Sequence, residues 1–135
     1  MNDGREFYVS DLFFIIRSKI RNLPEELIER LGRKRFLKEH GTIAINFGRR
    51  YGHTELAKKI LKHYEDSLVI LPTWMASRLY PSELKERVHP TFKKDELFLL
   101  CREKIVVVDN ATDLKRRFIK RLYEESDAKI IILLE

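Results

Sequence analysis

The chain has 135 residues, 44% of them apolar and 36% charged, with five Gly and four Pro, a globular composition that excludes collagen-like and disordered classes. Its single cysteine, Cys101, cannot form an internal disulfide, so the cytoplasm (the host's, if the source is viral) is the expected compartment. A net charge of +6 raises the expectation of a polyanionic partner such as nucleic acid.

Phe7 to Ile20 is rich in apolar residues but carries Ser10, Asp11, Arg17, Ser18 and Lys19. That is too short and polar for a bilayer span, so it predicts an amphipathic helix over Glu6 to Ile20 and no membrane partner. A second helix is expected from Pro24, a residue suited to a first helical turn, to Glu39. The pattern then changes. Thr42 to Phe47 is a short β-branched run bounded by Gly41 and Gly48, which reads as a buried strand.

Helices and strands alternate from there. Glu55 to Tyr64 repeats Leu56, Ile60, Leu61 and Tyr64 at helical spacing, and Ser67 to Leu71 is a strand stopped by Pro72. Trp74 to Tyr80 is read as a helix, the stretch to Pro90 as irregular, and Lys94 to Cys101 as a short helix. Lys104 to Asp109 is the clearest strand, Thr112 to Glu125 a charged helix, and Lys129 to Leu134 the last strand. Continuous apolar strands separated by helices predict one three-layer α/β domain with a parallel sheet of about four strands, its helical N-terminal residues 1–40 packed on it.

The chemistry falls where the first strand ends. A glycine-containing turn between strand and helix presents backbone N–H groups and a helix dipole to phosphates. Gly48-Arg49-Arg50-Tyr51-Gly52-His53-Thr54 has that form. Against G-x-x-x-x-G-K-[ST], Gly52 and Thr54 fall in place, Phe47 holds the first glycine position with Gly48 one residue later, and His53 holds the lysine position. Asp109 closes the strongest strand, where a carboxylate can help to hold Mg²⁺ opposite the Thr54 hydroxyl. Arg49 and Arg50 can supply phosphate contacts. His40, His63 and His89 show no metal-ligand spacing, with or without Cys101.

These segments together resemble the nucleotide-binding core of superfamily one and two helicases and of phage large-terminase ATPases. Ile43 to Thr54 is similar to the terminase form of Walker A, in which two arginines precede the G-K-[ST] step. Leu68 to Thr73 looks like the helicase strand that ends in Pro-Thr, and Val106 to Ala111 resembles Walker B. The Gly-His-Thr variant is also similar to small phage-encoded P-loop proteins. The resemblance implies a sheet in the order 2-3-4-1 and a site for Mg²⁺ with ATP or ADP. The chain shows no second such domain, so a free-standing helicase or packaging motor is not expected.

Two departures bear on turnover. His53 replaces a lysine point charge, and Asn110 stands where the resembled families carry a glutamate that activates water. The expected function is therefore a divergent nucleotide-binding protein with weak or absent hydrolysis. The alternative is a non-enzymatic basic module contacting nucleic acid or a protein, with Lys115, Arg116, Arg117, Lys120 and Arg121 as candidate nucleic-acid contacts. The order 2-3-4-1 would leave Thr42 to Phe47 at a sheet edge, to be covered by Leu23 to Phe36 or by a second copy.

Overall fold

A computed structural model describes residues 4–23, 25–45, 53–71, 78–90, 105–109, 116–126 and 128–134, with the backbone alone described at 4–8, 90 and 116–118. The elements are α1 (Gly4–Arg21), α2 (Glu25–Leu31), α3 (Arg33–Glu39), β1 (Thr42–Ile45), α4 (His53–His63) and β2 (Ser67–Leu71). A 3₁₀ helix (Ser82–Arg87), β3 (Val88–Pro90), β4 (Ile105–Asp109), α5 (Arg116–Glu125) and β5 (Ile130–Leu134) follow. The helix expected at Lys94 to Cys101 lies outside the described residues, as does most of Trp74 to Tyr80. Among the described residues no helix is long and apolar enough to cross a membrane.

The strands form one sheet in the order β1-β5-β4-β2-β3, and every pairing is parallel. This corrects the expected four strands in the order 2-3-4-1. A fifth strand, β3, stands outside β2, while β2, β4, β5 and β1 follow one another across the sheet. The added strand was illegible because Val88-His89-Pro90 is only three residues long and ends in proline. Proline cannot donate to a ladder, and an edge strand is where it is tolerated.

Alternation along the strands divides the core into two halves. Val69, Leu71, Ile105, Val107, Ile130, Ile132 and Leu134 meet α1 and α4, through Val9, Ile16, Leu56, Ala57, Ile60 and Leu61. Leu68, Ile70, Val106, Val108 and Ile131 meet Leu37 of α3 and Leu122 of α5. Helices therefore cover both faces, as the uninterrupted apolar strands require.

The long second helix is interrupted. Gly32 has φ 82, a backbone conformation that L side chains rarely adopt, and it separates α2 from α3. The break sends α3 to the sheet. Arg33 donates to the carbonyls of Ala128 (2.9 Å) and Tyr123 (2.6 Å), tying α3 to the turn between α5 and β5. Thr42 donates to the Leu37 carbonyl at 2.8 Å, so the Tyr123 hydroxyl, also 2.8 Å from Thr42 Oγ1, is the donor of that second bond.

β1 does lie at an edge. Among the described residues α3 packs against it, as part of the expected cover by Leu23 to Phe36, and Ile43 of β1 also joins the buried cluster that holds Val9 and Ile16 of α1. α2 packs on α3 and buries none of its residues fully, and α1 packs on α4.

Gly41 is required for close approach rather than for its dihedral angles. A Cβ there would stand 2.6 Å from the Lys129 carbonyl oxygen and 3.0 Å from Leu37 Cδ1. Gly41→Ala is expected to lower unfolding free energy by about 1–3 kcal/mol, the usual cost of overpacking, measured by urea denaturation. An unchanged midpoint would show that the β5 approach yields easily.

Candidate phosphate and metal site

The site is assembled at the carboxyl ends of the strands, where parallel α/β sheets place their ligands. Asp109 is the last residue of β4 and shares the parity of Ile105 and Val107, so it emerges on the α4 face. α4 begins on that same face with His53 and Thr54. The Thr54 hydroxyl lies 3.4 Å from Asp109 Oδ2, at the long limit of a hydrogen bond. Two residues 55 positions apart are thus brought to a distance at which they can share one ligand. His53 is 7% exposed and close enough for its charge to act on Asp109.

Gly48, Arg49, Arg50, Tyr51 and Gly52 lie outside the described residues, as do Asn110 and Lys115. Of the phosphate loop, the structure describes His53 and Thr54. Of the basic candidates, Lys120 is exposed and Arg121 is ion-paired to Glu125 at 2.6 Å. Arg116 and Arg117 open α5, with their side chains not described. α5 packs on the face opposite α4, so the basic helix and the Thr54–Asp109 pair sit on different faces of the sheet.

A further residue joins the site. Tyr80, 3% exposed, donates its hydroxyl to the same Asp109 Oδ2 at 2.8 Å. Sequence reasoning missed it: Tyr80 sits at the end of an expected helix, 29 positions upstream, with no motif to mark it. Only its placement in the folded chain brings it to Asp109.

The electrostatics follow from burial. Asp109 is 7% exposed, and loss of water pushes its carboxyl above the ordinary value. The Tyr80 hydrogen bond, the His53 charge and the Thr54 hydroxyl oppose this rise without cancelling it. The Tyr80 hydroxyl is held far above its usual range by burial, then by the charge and hydrogen bond of Asp109, then by Glu55. Tyr80 is therefore a donor at any working pH, and Asp109 the acceptor.

A hydroxyl beside a carboxylate is a hard-oxygen pair of the kind Mg²⁺ uses when phosphates and water complete its shell. Among the described residues no group of three or more His, Cys, Asp or Glu side chains could hold a metal by itself. The pair therefore fits a metal that arrives with phosphate and does not form an all-protein cage. Compared with protein-family models, with curated proteins and with solved structures, the chain finds no match.

Proposed function

We propose that the chain is a divergent P-loop protein that binds a nucleotide with Mg²⁺ at the carboxyl end of its sheet and turns it over slowly or not at all. The observation that carries this reading is the approach of Thr54 to Asp109 at the first turn of α4. The residues before His53 would supply backbone N–H groups and the Arg49 and Arg50 guanidinium groups to the phosphates. Thr54 and Asp109 would hold Mg²⁺, which when bound neutralises phosphate charge.

Mass action gives the direct test. At a dissociation constant of about 0.1 mM, roughly 5 mM Mg²⁺-ATP stabilises the folded state by about 2 kcal/mol, which a thermal melt resolves. An unmoved melting temperature with ATP, ADP and GTP would overturn the reading.

Turnover should be negligible, because His53 lacks the lysine point charge and Asn110 cannot accept a proton from water. Phosphate release is expected far below the usual enzyme range of about 1–10³ s⁻¹. A rate inside that range would show that other residues supply both roles. In the same frame His53→Lys is expected to tighten nucleotide binding.

The alternative, a basic module for nucleic acid or protein, draws on charge alone. The described basic residues of α5 do not converge with the Thr54–Asp109 pair. Phosphate binding at that pair is therefore the reading favoured.

A further inference from the structure

We propose that Tyr80 is a gate on the metal side of this site: its hydroxyl occupies the Asp109 oxygen that Mg²⁺ or a metal-bound water needs, so nucleotide loads with metal only after that hydroxyl has withdrawn. The proposal rests on the nucleotide reading above and goes beyond it, because no part of the P-loop pattern includes this tyrosine.

Both described hydrogen bonds to the Asp109 carboxylate fall on one atom. Thr54 Oγ1 at 3.4 Å and Tyr80 Oη at 2.8 Å each point to Oδ2. A carboxylate oxygen offers two lone-pair directions, and two donors fill them. The shorter bond is the tyrosine's, so the stronger hold on Oδ2 belongs to a residue outside the phosphate loop. Burial sharpens the competition: Tyr80 and Asp109 are 3% and 7% exposed, and water does not readily take the hydroxyl's place. With the hydroxyl in place Oδ2 carries two donors without a cation, which favours the empty state. Arg78 and Leu79, immediately before Tyr80, are exposed, while the Tyr80 ring sits in the buried cluster on the α1 and α4 face.

Thermodynamics then fixes the sign. A bond made in the empty state and broken in the metal-loaded state weakens loading by its own strength. Removing it tightens loading and destabilises the empty protein. Tyr80→Phe keeps the ring and its packing and deletes only the donor.

The test is calorimetry of the full chain with ADP, once with Mg²⁺ and once with EDTA, on the parent and on Tyr80→Phe. Tyr80→Phe is expected to bind Mg²⁺-ADP about tenfold tighter, in line with loss of one hydrogen bond to a charged group, and to bind metal-free ADP like the parent. A parent that binds Mg²⁺-ADP and a folded Tyr80→Phe that binds it no tighter would overturn the gate and leave the nucleotide reading standing. Binding by neither protein would overturn the nucleotide reading and the gate with it. Binding by Tyr80→Phe alone would support both.

A second measurement does not depend on the variant folding. In protein carrying ¹³Cζ-tyrosine, the Tyr80 resonance should move on adding Mg²⁺-ADP and stay in place with ADP in EDTA. A Tyr80 signal unmoved by saturating Mg²⁺-ADP would overturn the gate.

Discussion

Asp109→Asn is expected to abolish Mg²⁺-dependent nucleotide binding while leaving the protein more stable than the parent at neutral pH. The two effects have one cause. Asp109 is buried at the end of β4, and its carboxyl is pushed upward by desolvation against the Tyr80, His53 and Thr54 interactions. A carboxyl whose folded-state value lies above its unfolded value binds protons more tightly in the native protein. Its contribution to stability is full below the unfolded value, about 3.9, and is lost as pH rises through the raised native value. At pH 7 the buried charge therefore costs stability. Asparagine removes the charge and retains a carbonyl oxygen to accept from Tyr80. The gain expected is about 0.5–2 kcal/mol, the usual range for relieving one unfavourable site. It should vanish in melts near pH 3, where both side chains are neutral. A variant less stable than the parent at pH 7 would show that the tyrosine and threonine bonds outweigh burial.

Arg87→Met should be the most damaging of the single polar substitutions considered, lowering unfolding free energy by about 2–4 kcal/mol. One guanidinium nitrogen donates to the Leu61 carbonyl at 2.7 Å, and the other reaches the Tyr64 carbonyl at 2.9 Å and the Ser67 carbonyl at 3.3 Å. Leu61 lies in the last turn of α4 and Tyr64 just follows it, so both carbonyls are among the acceptors that a helix end leaves without intrahelical partners. Arg87 therefore caps α4 and ties it to the first residue of β2 from the 3₁₀ helix before β3. Methionine keeps most of the stem and loses every donor. Partial exposure lets water reclaim some of these carbonyls, which holds the estimate well below the sum of the bonds. Arg87→Lys should recover little, because one ammonium cannot span acceptors set for a fork. Chemical denaturation measures both variants, and a loss under about 1 kcal/mol would mean that water replaces the guanidinium fully. These contacts gather at the amino end of β2, opposite the Asp109 end of the sheet. Nucleotide binding by Arg87→Met at permissive temperature should therefore match the parent.

How far sequence reached can be read from particular residues. Ser67 to Leu71, Ile105 to Asp109 and Ile130 to Leu134 were legible because strands covered on both faces cannot afford a polar interruption, and only continuous apolar runs satisfy that. α4 was legible from its one-sided spacing. The break at Gly32 was missed, although a glycine in the middle of a helical pattern is a stop signal; here flanking good helix formers concealed it. β3 gave no signal because an edge strand of three residues needs no apolar run. The approach of Thr54 to Asp109 was legible from motif order, since each belongs to a local pattern at a strand or helix end. The contact of Tyr80 with Asp109 was not, because it comes from tertiary placement and nothing in the neighbours of Tyr80 encodes that placement.

In the proposed function Thr54 and Asp109 form the metal side of a nucleotide site. Calorimetric titration of the intact chain with Mg²⁺-ADP addresses it most directly, with Asp109→Asn as the matched control. Saturable single-site heat in the parent, absent from Asp109→Asn, is the predicted result. Equal heats in the two proteins, or none in the parent at millimolar nucleotide, would contradict it.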